Sequence, residues 1–427
     1  MIKRIEKILK SKGVDKYKIR EINEEKYEAY YSLQKLEATR NTESLTYEVT
    51  IYLPLGENQM LGSASFNLPY TMTVNQIAKK VDEAISSAKI AVSPYYELVE
   101  GVGRKTFKDS FVLEKPLEEI DKVANIFFKE TSENKKFNSL EVFYKQATIR
   151  LVNSKGVDYK KISSVIEIEA IPSYDGVKKE DPSNQKVELY KYYKYPTLDK
   201  EKMQKDAKEA LSDVEKRFNA KKIDFKGKKN VILRDSDLNE LVGNLISLYG
   251  YQAVFSKATD KKIGDVIQDA KRGYDKLTVT LMPGSKADRF DGDGVLLEKT
   301  VILDKGVLAS YFGNNQYAQY LGLKPTGNMR FRKLEKGKKS SAELKREPHI
   351  EIISLSGIQV DPYADYIGGE VRLANYFDGE KSYPIFGFSF SGSLTESLKE
   401  ISLSKETKKT TSYEMPSYAL LKDLNIL

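Results

Sequence analysis

The 427-residue chain contains no cysteine, no tryptophan and one histidine, His349. Without cysteine there can be no disulfide bond, thiolate nucleophile, iron–sulfur cluster or cysteine-ligated zinc. A single histidine cannot supply two imidazole ligands, so the common catalytic zinc sites cannot be built from this chain alone. His349 follows a proline at the start of an apolar strand, and we predict a packed or surface side chain there rather than a ligand.

Other signatures of chemistry are missing as well. The sequence contains no G-x-x-x-x-G-K-[ST] loop, no strand-linked G-x-G-x-x-G and no G-x-S-x-G elbow. Nucleotide-phosphate cradles and an α/β-hydrolase nucleophile are therefore not supported. The residues alone identify no autonomous catalytic group, no metal site and no cofactor.

The charge balance is nearly even, with 70 Lys and Arg against 62 Asp and Glu and a net charge of +8. Both signs are mixed along the chain, so we attribute the excess to solubility, and nucleic-acid binding has only thin support. No window approaches eighteen uninterrupted apolar residues, and the amphipathic N-terminus lacks the features of a signal peptide. We predict a cytoplasmic protein with no membrane contact.

Hydrophobic periodicity divides the first half into strands and helices. Residues 45–53 and 60–68 alternate with period two, which predicts an antiparallel hairpin. Thr73 and Gln76 form a predicted capping box, and the apolar face that follows should pack on that hairpin. Further helices are predicted at 117–128 and 199–218, further strands at 140–152 and 164–171, and a polar surface loop at 173–185.

A basic stretch at 221–230 with few apolar residues indicates a domain boundary. We predict an α+β fold in two domains, at 1–222 and 223–427. In the first, helices should pack on a mostly antiparallel sheet, and the second should be β-rich with a curved or barrel-like sheet. The charge-rich segment 333–346 is predicted to be a mobile loop.

An acidic turn at 288–294 (DRFDGDG) has the composition of a calcium-binding loop. Aligning Gly294 with the obligatory glycine of such a loop places Arg289 and Thr300 at ligand positions. Neither residue suits its position. We therefore interpret the segment as a tight acidic turn before a strand.

Five segments, in this order, resemble the TldD/PmbA family, whose members were once called modulators of DNA gyrase and are now regarded as subunits of a cytoplasmic metallopeptidase. They are the turn NSKG at 153–156, FDGDGV at 290–295, TVILDKGVL at 300–308, YLGLKPTGN at 320–328 and SGIQVDP at 356–362. Each string is short, but their order matches that of the family.

The family has two branches, and the resemblance here is to the TldE/PmbA branch. TldD-like chains carry H-E-x-x-x-H on a helix after a buried strand, so that two imidazoles hold zinc and the glutamate acts as general base. In this chain the corresponding positions are Gly243, Asn244 and Leu248. The resemblance therefore implies a chain with no catalytic residue, no metal ligand and no cofactor.

The resemblance also implies that this chain pairs with a zinc-bearing TldD-like paralogue through their C-terminal domains, and that the pair holds an unfolded peptide in a cleft. From motif position we predict that the cleft is lined by Asp291, Asp293, Thr326, Asn328 and Arg330. Two alternatives stay open: a homodimeric scaffold that binds peptides or a protein such as gyrase without hydrolysis, and an enzyme with unrecognised carboxylate chemistry.

Overall fold

The computed structural model describes residues 1–56, 59–178, 181–223 and 225–427, with the backbone alone at 178 and 181–184. Three sheets organise these residues. One large sheet is built from the first 195 residues, and two sheets are built from the remainder. The predicted α+β class and barrel-like C-terminal sheet are confirmed. The boundary between 222 and 223 stays a prediction.

The N-terminal sheet is long, twisted and mostly antiparallel. Its described strands are β1 Lys16–Ser32, β2 Lys35–Leu55, β3 Met60–Pro69, β4 Val92–Pro94, β5 Gly103–Lys108, β6 Lys135–Asn153, β7 Val157–Lys178, β8 Asp181–Glu188 and β9 Lys191–Tyr195. The order is β4-β3-β2-β1-β6-β7-β5, with β8 and β9 also on β7, and β5 alone is parallel to its neighbour. Tyr47, Val49 and Ile51 of the predicted alternating strand face the core.

Helices cover the apolar face of this sheet. They are α1 Ile2–Ser11, α2 Val74–Ala88, α3 Pro116–Phe128 and α4 Lys200–Asn219. The capping box at the start of α2 is present, because Thr73 accepts from the Gln76 backbone and Gln76 accepts from the Thr73 backbone. The helix predicted at 199–218 is α4, and its apolar face from Met203 to Phe218 is buried.

The predicted loop at 173–185 is wrong. β7 continues to Lys178 and pairs with β8, which starts at Asp181, while residues 179 and 180 lie outside the described part of the chain. The segment lacks apolar alternation, so its strand character comes from backbone pairing, which a polar sequence pattern does not reveal.

Strands of the C-terminal half form a closed ring beside a smaller sheet. They are β10 Lys221–Lys222, β11 Gly227–Arg234, β12 Val279–Met282, β13 Thr300–Asp304, β14 Val307–Leu308, β15 Phe331–Leu334, β16 His349–Asp361, β17 Tyr366–Phe377, β18 Ser382–Phe386, β19 Phe388–Ser393, β20 Ser402–Leu403, β21 Thr407–Lys409, β22 Tyr413–Pro416 and β23 Tyr418–Ile426. Among the described strands, β11, β16, β17, β19 and β23 pair in turn and return to β11. This closure leaves no free edge within the ring.

The smaller sheet has the order β14-β13-β12-β15-β22-β21. Helices lie between the strands of the two C-terminal sheets: α5 Asp235–Ser247, α6 Tyr251–Phe255, α7 Asn315–Tyr320, α8 Ser341–Leu344 and α9 Leu394–Lys399. The longest of them, α5, follows β11 directly and buries Leu238, Leu241 and Leu245 in the core that the two sheets share.

The predicted mobile loop at 333–346 is also wrong in part. Its first residues complete β15, and α8 follows with a capping box in which Ser340 and Glu343 exchange hydrogen bonds. The sequence pattern did not reveal this capping box, because the segment is highly charged and the box is followed by a single helical turn rather than a long apolar face. Over the described residues, no helix combines the length and apolarity needed to cross a membrane.

Candidate functional site

A cavity of about 530 Å³ opens beside α5 in the C-terminal half. One side is formed by α5 and α6, including Gly243 and Tyr251, and the other by β12, β15 and the segment around Phe312. Its volume falls in the range of about 300–1,000 Å³ that is usual for small-ligand sites. Polar and apolar groups both line it.

One charged side chain, Arg332 of β15, lies among the described lining residues. Its Nε donates to Asn239 Oδ1 at 2.9 Å. Asn239 and Gly243 are one turn apart on α5, so the guanidinium lies along this helix face. A Cβ atom at Gly243 would lie 2.8 Å from Nη1 of Arg332, and glycine is therefore what allows the close approach.

The guanidinium of Arg332 is half-buried and forms no ion pair with any described residue. Burial lowers the pKa of Arg332 from its usual value, and the charge of Glu240 offsets this in part. A side chain with a pKa this high stays charged at neutral pH. The cavity therefore contains one positive charge that Glu240 offsets only in part and that no described carboxylate pairs with directly.

The acidic turn lies at the junction between the two halves of the chain rather than in this cavity. Phe290 packs against Leu151, Val157 and Tyr159 of the N-terminal sheet. Asp293 forms an ion pair with Lys18 of β1, with 2.7 Å between Oδ1 and Nζ. These contacts give the turn a clear packing role.

Asp291 is buried, and its carboxylate is occupied by backbone groups. Oδ1 accepts from the N–H of Asp293 at 2.9 Å and of Val295 at 3.0 Å, and Oδ2 accepts from the N–H of Asn328 at 3.1 Å. Burial, followed by the charge of Asp293, raises the pKa of Asp291, and the three hydrogen bonds oppose that shift. The carboxylate thus ties the acidic turn to the segment at 325–328.

The other predicted cleft residues lie at different distances from the cavity. Asn328 lines it. Thr326 Oγ1 accepts from the N–H of Gly313, a lining residue, at 2.9 Å. Arg330 is exposed and is not among the described lining residues. A role of these side chains in a peptide cleft stays a prediction.

Sequence reasoning did not select Arg332, which lines the cavity, or Asn239, which accepts a hydrogen bond from it. Their proximity depends on β15 packing against α5, a contact between segments 93 positions apart in the sequence. The local pattern around Arg332 shows only a short strand with basic residues. No sequence signal indicated this pair.

Residues 226–427 match the family model of the PmbA/TldA metallopeptidase C-terminal domain. Residues 226–427 therefore belong to the TldD/PmbA family as its C-terminal domain. A comparison with curated proteins gives no match.

Solved structures extend the fold similarity of this TldD/PmbA member to the N-terminal half. TldE from Thermococcus kodakarensis has a TM-score of 0.79 at 15% identity, covering 99% of each chain. A protein described as a modulator of a DNA gyrase from Thermotoga maritima has a TM-score of 0.77 at 15% identity, covering 100% of this chain and 99% of that one. A gyrase-modulator structure from Bacteroides thetaiotaomicron has a TM-score of 0.78 at 17% identity, covering 99% and 97%.

The three positions aligned with the family's zinc motif lie on or just after α5. Gly243 faces Arg332, Asn244 donates its amide to the Glu240 carbonyl at 3.0 Å, and Leu248 packs against the C-terminal core. None of these side chains offers the imidazole or carboxylate ligands that zinc prefers. Among the described residues, no three His, Cys, Asp or Glu side chains are grouped so as to hold a metal ion.

His349, the single imidazole, lies at the start of β16 and is 4% exposed. Its Nδ1 lies 2.8 Å from the Glu347 carbonyl, and its ring packs on Phe377. Burial lowers the pKa of His349, so the neutral form is favoured at pH 7. Of the two possibilities predicted for His349, a packed side chain is the one that the structure shows.

Proposed function

We propose that this chain is the metal-free, non-catalytic subunit of a TldD/TldE-type cytoplasmic metallopeptidase. In this role it pairs with a zinc-bearing TldD-like paralogue and helps to hold unfolded peptide in a cleft. The partner supplies the metal and the general base. This chain shapes the cleft and restricts access to it.

The observation that carries this proposal is that an arginine lies against the face of α5 where the zinc-binding branch has a metal ligand. Where the zinc-binding branch has a histidine, this chain has Gly243, and the Arg332 guanidinium lies against it. A cation at this place repels a second cation, and the effect is strong in a half-buried site. Both the missing ligands and the arginine therefore favour a role without metal.

The test is peptide cleavage by the pure chain and by its mixture with a paralogue that carries H-E-x-x-x-H. Denatured, fluorescently labelled casein is the probe. We expect the two chains to co-purify and cleavage to require both of them, with loss of cleavage in chelator. A mixture in which the partner's motif histidine is replaced is the matched control and should be inactive.

Two results would contradict the proposal. One is chelator-resistant cleavage by the pure chain, which would point to carboxylate chemistry within it. The other is a partner that cleaves casein equally well with and without this chain.

A second candidate is a homodimeric scaffold that binds peptide or protein without hydrolysis. Two of the solved structures with this fold are described as gyrase modulators, which motivates it. Light scattering separates the candidates. A stable homodimer that ignores the paralogue supports the scaffold, whereas a homodimer or monomer that exchanges into a mixed complex supports the peptidase subunit.

A further inference from the structure

We propose that the cavity beside α5 is a receptor for a peptide carboxylate, with the guanidinium of Arg332 as the group that binds it. The proposal concerns a binding site for an anion at the place where the zinc-binding branch of the family has its metal ligands. The proposed function leaves this cavity without a ligand, and the present proposal assigns one to it.

The first argument is the unused hydrogen-bonding capacity of Arg332. A guanidinium has five N–H donors in a rigid planar fork. The Nε donor is used by Asn239, and neither Nη forms a hydrogen bond or ion pair with any described residue. The geometry of the remaining edge matches the two oxygens of a carboxylate.

The second argument is that this edge is open to the cavity. Nη1 and Nη2 lie 2.8 and 3.4 Å from the position that a Cβ atom of Gly243 would occupy, and both residues line the cavity. The fork packs against the backbone of α5 at Gly243, but Arg332 is only half-buried, and its free edge borders the cavity. A ligand oxygen entering the cavity can therefore reach the guanidinium.

The third argument is the charge of the lining. Arg332 is the one ionisable cation or anion among the described lining residues at neutral pH. A single cation balances a carboxylate, whereas a phosphate dianion is usually held by several donors or charges. A half-buried charge without a direct ion-pair partner is costly, and a monoanionic ligand would relieve that cost.

The remaining lining suits a peptide that carries this carboxylate. Gln252 and Asn328 offer side-chain amides to a peptide backbone, and Phe312, Tyr317 and Met329 offer apolar surface. The choice of a peptide as carrier rests on the proposed function, whereas recognition of a carboxylate rests on the cavity alone. The carboxylate can come from a peptide C-terminus or from an acidic side chain.

Calorimetric titration of the full chain at low salt tests the proposal with three probes. They are acetyl-Ala-Ala-Ala with a free C-terminus, the same peptide as its C-terminal amide, and acetyl-Ala-Glu-Ala amide. We expect at least one carboxylate peptide to bind roughly tenfold more tightly than the neutral amide. The probe that is preferred identifies the source of the carboxylate.

Variants connect this preference to Arg332. Arg332→Gln should abolish it, and Arg332→Lys should retain it only in part, because an ammonium cannot form the bidentate pair. Gly243→Ala keeps the charge but places a methyl group against the fork, and it should also weaken the preference. Arg272→Gln removes an exposed arginine outside the cavity lining and is the matched control.

Three outcomes would overturn the proposal: equal binding or no binding of all three probes, an unchanged preference in Arg332→Gln, or stronger competition by inorganic phosphate than by acetate. Circular dichroism verifies that each variant is folded. If Arg332→Gln is unfolded, the effect of Gly243→Ala on the carboxylate preference decides whether Arg332 binds the ligand. If the preference is absent while partner-dependent casein cleavage persists, this inference fails and the proposed function stands.

Discussion

Replacement of Asp291 by alanine tests how the acidic turn is held together. The carboxylate accepts three backbone N–H groups, from Asp293, Val295 and Asn328, in a buried setting. A hydrogen bond to a charged group contributes about 1.5–3 kcal/mol, and one between neutral groups about 1 kcal/mol. We use the lower figure because burial disfavours the carboxylate, as its raised pKa indicates.

Three bonds then sum to about 3 kcal/mol of lost stability for Asp291→Ala. For a domain of this size, each kcal/mol lowers the unfolding temperature by about 2–4 °C, so the expected decrease is roughly 6–12 °C. Thermal unfolding followed by circular dichroism measures it. The unfolding temperature of Asp291→Asn should lie between those of wild type and Asp291→Ala. The amide of this variant retains one acceptor oxygen but presents N–H donors to the Asn328 N–H.

The neighbouring Asp293 provides the matched control. Its ion pair with Lys18 is partly exposed, and such pairs contribute about 0–1 kcal/mol. Asp293→Ala should therefore lower the unfolding temperature far less than Asp291→Ala. An Asp291→Ala protein within about 2 °C of wild type would refute the claim that this carboxylate organises the two loops.

Further predictions concern ionisation and capping. Burial, followed by the charges of Asp235 and Glu240, raises the pKa of Asp237 to about 7. The folded state thus binds the Asp237 proton more tightly than the unfolded state does. The stability that protonation of Asp237 contributes is full below about pH 4 and is lost as pH rises through about 7. Asp237→Asn should unfold at a higher temperature than wild type at pH 8 and depend less on pH between 5 and 8. Asp213 is 0% exposed and paired with two lysines, so Asp213→Ala should cost about 3–5 kcal/mol in denaturant unfolding. Thr73→Ala removes the cap of α2 and should cost about 1 kcal/mol.

A control for Asp213 and contradicting results for Asp213 and Asp237 follow from the same structure. Asp82→Ala, at an exposed ion pair with Lys12, should change stability by about 1 kcal/mol or less and serves as the reference for Asp213. An Asp213 variant no less stable than this reference would contradict the role of a buried pair. Parallel pH profiles of wild type and Asp237→Asn would show that this carboxyl is not the titrating group.

The elements that sequence could predict are those whose signal is local. The apolar faces of α1 and α4 and the capping box of α2 are contained within one helix each, and the structure has all three. The pairing of β7 with β8 was missed because this part of both strands is polar and gains its structure from the pairing itself. The helix α8 was missed because its capping box precedes a single turn.

The candidate site was only partly predictable for the same reason. The motif positions identified Gly243 and Asn328, and the structure places both on one cavity. Arg332 could not be found this way, because its place in the cavity depends on which helix β15 packs against. Asp291 was selected as a polar cleft residue, but its carboxylate is occupied by backbone N–H groups, a use that motif position does not distinguish from ligand binding.

We propose that this chain contributes no catalytic metal and works only with a zinc-bearing partner. The most direct measurement combines metal analysis of the isolated chain after exposure to zinc with its rate of casein cleavage. We predict substoichiometric zinc, no cleavage by the isolated chain, and cleavage once the partner is added. Stoichiometric zinc bound by the chain's own side chains and required for cleavage would contradict the account.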